Sequence, residues 1–384
     1  MKKFLLLALM IRTLAPGGAW AQDAHSMGIG GATTSAPMDV FGVVWNPALI
    51  ALPGGPAPWT LGTGFSAFDT SNSNSPILRF NQDAALQSGI DPVNRYQDYT
   101  GLFTVRYTTG AGSVLFDQSL KTQTSQSAYQ FFQARSNGPL SAGVSFNNLN
   151  YQETQQQMAT LVLSYGQSLP FGMMPVYVGG SLKYEDGLQY LQNSLTGSFT
   201  QGGSSSTYQY NRTTSSNGLG LSIDAGFLAQ LTDAIQLGMM FQNIQSNFSW
   251  TATQQTMSLN QATGQETVSS TAANQTVNAN LPYITSLGLT ASPQGKNIFL
   301  LGEVQWAPGQ TNWKFGLERY YPENNMVVRL GTLNDPISQS QLWTFGWGVL
   351  TKVFTIDVAF ETRSLPAIQN SIAVGGALDA EVRF

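Results

Sequence analysis

Leu378-Asp379-Ala380-Glu381-Val382-Arg383-Phe384 alternates apolar and polar residues at every step. Side chains of a strand point to opposite faces with period two, so Leu378, Ala380, Val382 and Phe384 share one face and Asp379, Glu381 and Arg383 the other. A greasy face backed by a charged one, ending on an aromatic, is the pattern expected of the last strand of a barrel that faces lipid outside and water inside.

Reading backwards from this segment, the pattern recurs. Phe354, Ile356, Val358 and Phe360 alternate with Thr355, Asp357, Ala359 and Glu361, and Trp343, Phe345, Trp347 and Val349 alternate with Thr344, Gly346 and Gly348. Further candidates are 326–333, 312–318, 298–306, 282–291, 235–248, 219–230, 176–185, 158–167, 140–149, 128–134 and 59–68. With the final strand these make fourteen; a further pair, 99–107 and 113–117, would make sixteen. Both counts are even, as in single-chain bacterial barrels. The charges Asp224, Glu303, Glu318, Arg329, Asp357 and Glu381 take the parity opposite to the bulky apolar residues and are expected to face the lumen.

A soluble sandwich shows the same half-buried parity, so alternation does not decide between them. Connection length does. With Phe384 at the periplasmic rim, the short connections, including 231–234 and 350–352, share that side, and the long ones near 69–98, 187–218 and 249–281 share the other. This asymmetry belongs to outer-membrane barrels. The expected fold is therefore all-β: a transmembrane antiparallel β-barrel occupying 59–384, of fourteen or sixteen strands.

The beginning of the chain points to the same compartment. Lys2 and Lys3 precede an apolar run from Phe4 to Ile11, and Ala19-Trp20-Ala21 offers small residues for cleavage, so 1–21 reads as a secretory signal peptide. The run is too short to span a bilayer, which takes about 20 apolar residues. The 384 residues carry a net charge of −4, giving no basic surface for nucleic acid, and contain no Cys, excluding disulfides and thiolate chemistry.

Catalysis finds little footing. The single histidine, His25, lies just past the cleavage point, in what reads as a mobile terminal stretch, and a Ser-His-Asp triad or histidine-rich metal site would need it. No catalytic residue, metal ligand or cofactor is assigned, and the chain is read as a non-enzyme. Gly28, Gly30 and Gly31 do not form a phosphate loop, because no strand precedes them and no Gly-Lys-Ser/Thr follows.

Residues 22–58 are more informative. Met27-Gly28-Ile29-Gly30-Gly31-Ala32, Asp39 and Val44-Trp45-Asn46-Pro47-Ala48-Leu49 resemble the N-terminal signature of FadL-type outer-membrane transporters and of their PorV/PorQ relatives. Later stretches resemble the PorV/PorQ group in order, among them Val178-Gly179-Gly180-Ser181-Leu182-Lys183-Tyr184, Ile223-Asp224-Ala225-Gly226-Phe227, Arg329-Leu330-Gly331 and Phe345-Gly346-Trp347-Gly348. The likeness is weakest over 69–127, which reads as an insertion. It implies fourteen strands and an N-terminal hatch inside the barrel, built on Gly28, Gly30, Gly31, Asn46, Pro47 and Ala48.

The resemblance leaves two functions open. PorV-like proteins act in type IX secretion, which implies secreted cargo or secretion-machine subunits as partners. FadL-like proteins pass hydrophobic small molecules across the outer membrane, which would require an apolar pocket such as the hatch residues Met27, Val44 and Trp45 could form. The charged inward parity favours the first reading. Outer-membrane lipid is the partner common to both.

Overall fold

Alternating residues of high β-propensity form sixteen strands in the computed structural model, which describes residues 23–36, 39–53, 59–71, 94–136, 143–171, 174–200, 209–259, 266–293, 297–335, 340–363 and 372–384. The signal-peptide stretch lies outside these. In chain order the strands are β1 (Trp59–Ser71), β2 (Asn94–Tyr107), β3 (Gly110–Thr124), β4 (Ser145–Phe171), β5 (Met174–Thr200), β6 (Gln209–Ser215), β7 (Gly218–Thr232) and β8 (Ile235–Leu259). They continue as β9 (Glu266–Asn278), β10 (Ile284–Ala291), β11 (Ile298–Ala307), β12 (Gln310–Tyr321), β13 (Met326–Asp335), β14 (Ser340–Leu350), β15 (Phe354–Arg363) and β16 (Ile372–Arg383).

Fourteen of them close a ring. Neighbours pair antiparallel, β5 skips to β7 and β8 to β10, and β16 returns to β1, with Leu378 opposite Phe65. β6 and β9 stand outside the ring, β6 against the far parts of β5 and β8 and β9 against the far part of β8. The stretches 187–218 and 249–281 thus contain paired strands that carry hairpins beyond the wall.

The expected number of strands holds, but not the expected membership. Residues 128–134 belong to a helix, Gln126–Ser136, started by Ser125, whose Oγ accepts the Ala128 N–H at 3.2 Å. Ala128, Phe131 and Phe132 follow helical spacing and meet Leu149, Leu195 and Phe199 in a small apolar core. Of 140–149, residues 145–149 are the start of β4, which runs on through 158–167 rather than forming a separate strand, and 140–142 lie outside the described residues. In their place β2 and β3 pair through the whole length of the hairpin around 99–117 and belong to the wall. The supposed insertion is structural, and sixteen wall strands are excluded among the described residues.

Exposure separates a membrane wall from a soluble sheet. Along β15, Phe354, Ile356 and Phe360 are 40%, 41% and 57% exposed, whereas Thr355, Asp357, Ala359 and Glu361 are 3%, 1%, 0% and 5% exposed. A sheet in water would bury the opposite set. The same inversion holds around the ring, with Phe65, Leu182, Phe315, Leu330, Phe345 and Leu378 outward. Among the described residues closure leaves no wall strand without a neighbour on either side, which is the condition for strands in lipid. The chain is a bacterial outer-membrane β-barrel.

Candidate functional site

The N-terminal segment lies against the inner face of the wall. It comprises a short helix α1 (Ala24–Gly28), a turn through Gly30 and Gly31, a second helix α2 (Gly42–Trp45) and a 3₁₀ turn, Pro47–Ala51. Asp23 caps α1 by accepting the Ser26 N–H at 2.7 Å. Gly30 and Gly31 have φ of +65° and +73°, which only glycine adopts without strain.

Wall glycines make its seat. Gly166, Gly179 and Gly226 stand directly opposite one another on β4, β5 and β7, and Pro47-Ala48 rests on them. Gly238 and Gly288 pair across β8 and β10 beneath Thr34-Ser35, and Gly316 and Gly331 pair across β12 and β13 beneath Ile29-Gly30. A Cβ at Gly179 would stand 2.3 Å from the Pro47 carbonyl carbon. A glycine within a strand often marks the close approach of another backbone, and here it does so row by row.

Asn46 is fully buried and uses both ends of its amide. Its Oδ1 accepts the Ala48 N–H at 3.0 Å, while Nδ2 donates to the Thr34 carbonyl at 2.7 Å, tying the two halves of the segment together. Its extended backbone, φ −151° and ψ 107°, is the conformation that Pro47 imposes on its predecessor.

The six lumen-facing charges named from the sequence are all buried, and each has a structural partner. Glu318 and Asp357 flank Arg329, at 2.6 Å and 2.5 Å. Arg329 reaches Asp357 across β14, where the inward residues are Gly346 and Gly348; a Cβ at Gly348 would lie 1.8 Å from Asp357 Oδ1. Glu303 holds Lys314 at 2.8 Å and accepts the Thr34 N–H at 2.9 Å. Asp224 holds Lys183 at 2.6 Å and accepts the Asn243 N–H at 2.8 Å. Glu381 accepts the Val40 N–H at 2.9 Å and Arg383 Nε at 2.5 Å. Charge in this lumen braces the wall and fastens the N-terminal segment, so it does not argue against an apolar pocket.

His25 corrects another expectation. It is buried, with Nε2 2.9 Å from Glu318 Oε2 and Nδ1 3.6 Å from Asp39 Oδ2. Burial and the nearby Arg329 push its pKa down, but Glu318 and Asp39 outweigh them and raise it to about 10, so it is an imidazolium at neutral pH. Beside it, Asp23, Asp39 and Asp379 bring carboxylate oxygens within 4.8 Å of one another. Burial and then Asp39 raise the Asp23 carboxyl to about 6; hydrogen bonds from Ser26 and Trp45 only partly oppose this. The Trp45 indole N–H donates to Asp23 at 2.5 Å, and the Ala24 N–H donates to Asp379. Oxygen donors in this number suit a hard cation, but the N–H groups and His25 already engage the cluster. Asp23, Asp39 and Asp379 went unassigned as site residues in the sequence; an Asp just before a short helix was the available cue for Asp23.

Above the segment is a cavity of about 220 Å³. Val44 and Trp45 form part of its floor, and Leu115, Met158, Val162 and Met240 line its sides. Met27 does not reach it and packs instead against Ala24, Ala359 and Ala377. Lys183, Lys314, Asp98, Asp117, Glu185 and Glu303 also border the space.

Fold and interior together define a closed outer-membrane barrel with an internally seated N-terminal segment and a cavity of mixed polar and apolar lining against it. No protein-family model matches the chain, and no curated protein matches it in sequence. Among solved structures it is similar to the Ralstonia pickettii toluene transporter TbuX, with a TM-score of 0.61 and 14% identity over 97% of this chain and 100% of that one. It is also similar to the Pseudomonas putida toluene transporter TodX, with a TM-score of 0.55 and 13% identity over 95% and 98% of the two chains. A Pseudomonas aeruginosa FadL homologue gives 0.55 and 12% over 94% and 98%. At these identities the likeness is one of fold, the FadL-type outer-membrane barrel. Two of these neighbours are toluene transporters and the third a FadL homologue, and they lend no support to a PorV/PorQ assignment or to secreted cargo as a partner.

Proposed function

We propose that this barrel passes hydrophobic small molecules across the outer membrane, with residues 23–53 acting as the hatch that closes its lumen. The cavity carries the reading: Trp45, Val44, Leu115, Val162 and Met240 give it apolar surface among polar side chains, and it lies against the segment that would have to shift for a ligand to proceed. Ligand sites of this type are mostly apolar with a few placed polar groups. Two fold neighbours are toluene transporters, which agrees in chemical class. No feature of the site favours the secretion reading over this one.

The test is uptake of radiolabelled toluene by cells producing the protein, compared with cells carrying the empty vector. Saturable uptake that falls when Leu115→Trp fills the cavity, with barrel formation unchanged by heat-modifiable gel mobility, supports the proposal. Uptake no greater than in the empty-vector cells overturns it.

A further inference from the structure

We infer that the cavity selects its ligand by charge, admitting neutral and amine-bearing hydrophobic molecules and excluding carboxylates; this rests on the hydrophobic-passage reading above. Four carboxyl side chains border the space, Asp98, Asp117, Glu185 and Glu303, against two lysines, Lys183 and Lys314.

Both lysines are committed. Lys314 Nζ lies 2.8 Å from Glu303, and Lys183 Nζ lies 2.6 Å from Asp224 and 3.4 Å from the Asn243 side-chain oxygen. Turning either toward a ligand carboxylate would leave a buried acid without its cation, which is costly. The remaining acids have weaker company. Asp117 accepts the Thr100 hydroxyl at 2.9 Å, and Asp98 accepts the Tyr96 hydroxyl at 3.3 Å. Glu185 accepts the Ser222 hydroxyl at 2.7 Å through Oε1, and its Oε2 has no hydrogen-bond partner among the described residues.

An incoming carboxylate therefore finds no uncommitted cation to receive it, whereas an ammonium meets Asp98, Asp117 and Glu185, none of which makes a direct ion pair among the described residues. Trp45 adds to the bias. Its indole N–H is spent on Asp23, so Trp45 offers a ligand carboxylate no donor. A neutral aromatic ring gains the apolar contacts and suffers no repulsion.

The experiment is equilibrium binding of toluene, benzylamine and benzoate to the purified full-length chain in detergent at neutral pH. The expected result is binding of toluene and benzylamine, with benzoate at least about tenfold weaker than benzylamine. The double variant Asp98→Asn/Asp117→Asn, checked for folding by gel mobility, should shrink the amine's advantage over benzoate at least severalfold. Benzoate binding as tightly as benzylamine, or an amine advantage unaltered in the variant, overturns charge selection and leaves the passage reading standing. Binding of none of the three overturns both.

Discussion

His25 Nε2 and Arg329 Nε converge on the same oxygen of Glu318, from 2.9 Å and 2.6 Å, so a residue of the N-terminal segment shares an anion with the barrel wall. Two cations on one buried carboxylate make unequal demands when either is lost. His25→Ala leaves Glu318 paired with Arg329 and should cost roughly 1–3 kcal/mol. Arg329→Met leaves Asp357 without its cation and Glu318 with His25 alone, and should cost roughly 3–5 kcal/mol. Guanidinium unfolding in detergent would measure both, and equal losses would contradict the shared-anion arrangement.

The segment should loosen as pH rises. His25 has a folded-state pKa of about 10 against an ordinary 6.5, so its contribution is complete below 6.5 and is lost as pH climbs through 10. Asp23, raised from 3.8 to about 6, has the same sign: its contribution is complete below 3.8 and gone above 6. Hydrogen exchange over 23–52, corrected for intrinsic rates, should quicken in two stages, near pH 6 and again near 10. His25→Gln should abolish the second stage.

Glycine seats differ from ordinary wall glycines. In Gly179→Ala the new methyl would lie 2.3 Å from the Pro47 carbonyl carbon and 2.5 Å from the Ala48 nitrogen, backbone atoms that cannot rotate aside. Gly302→Ala meets nothing nearer than ring atoms of Phe315 at 3.8 Å. The first should unseat the segment and cost roughly 1–3 kcal/mol, and the second should be tolerated. Limited proteolysis over residues 23–53 distinguishes them.

Val358→Arg places a charge on the lipid side of the wall, between Trp347 and Leu378, and should cost about 2–4 kcal/mol in a lipid folding assay. Asp357→Asn, on the lumen side, is not the mild change that its parity alone suggests. It removes one of the two anions that hold Arg329, and loss of about 1–3 kcal/mol is expected.

Much of the wall was legible because lipid and lumen impose opposite polarity on successive residues, and β14 to β16 show that period without interruption. Where the strands leave the lipid, the constraint lapses. Gln152 to Gln157 is polar on both faces, so the continuity of β4 through it was hidden. The helix at 126–136 was readable in principle, since Ser125 is a capping residue and Ala128, Phe131 and Phe132 follow helical spacing. A short apolar run fits either period, and the strand reading was the wrong choice. The site was legible as residue types but not as pairs. No local pattern links His25 to Glu318 or Asp23 to Trp45, because closure of the ring brings them together. The wall glycines carried a signal that alternation overlooked, that of another backbone pressed against the sheet.

The seat of α1 also dictates an order of assembly. Its contacts lie on β13 to β16 and on β1, and the Ala24 N–H is received by Asp379 of the final strand. The full seat of this N-terminal helix thus exists only once the last strand has paired with the first. Docking of α1 and closure of the ring are thereby coupled: whatever opens the seam between the first and last strands also takes away part of the seat.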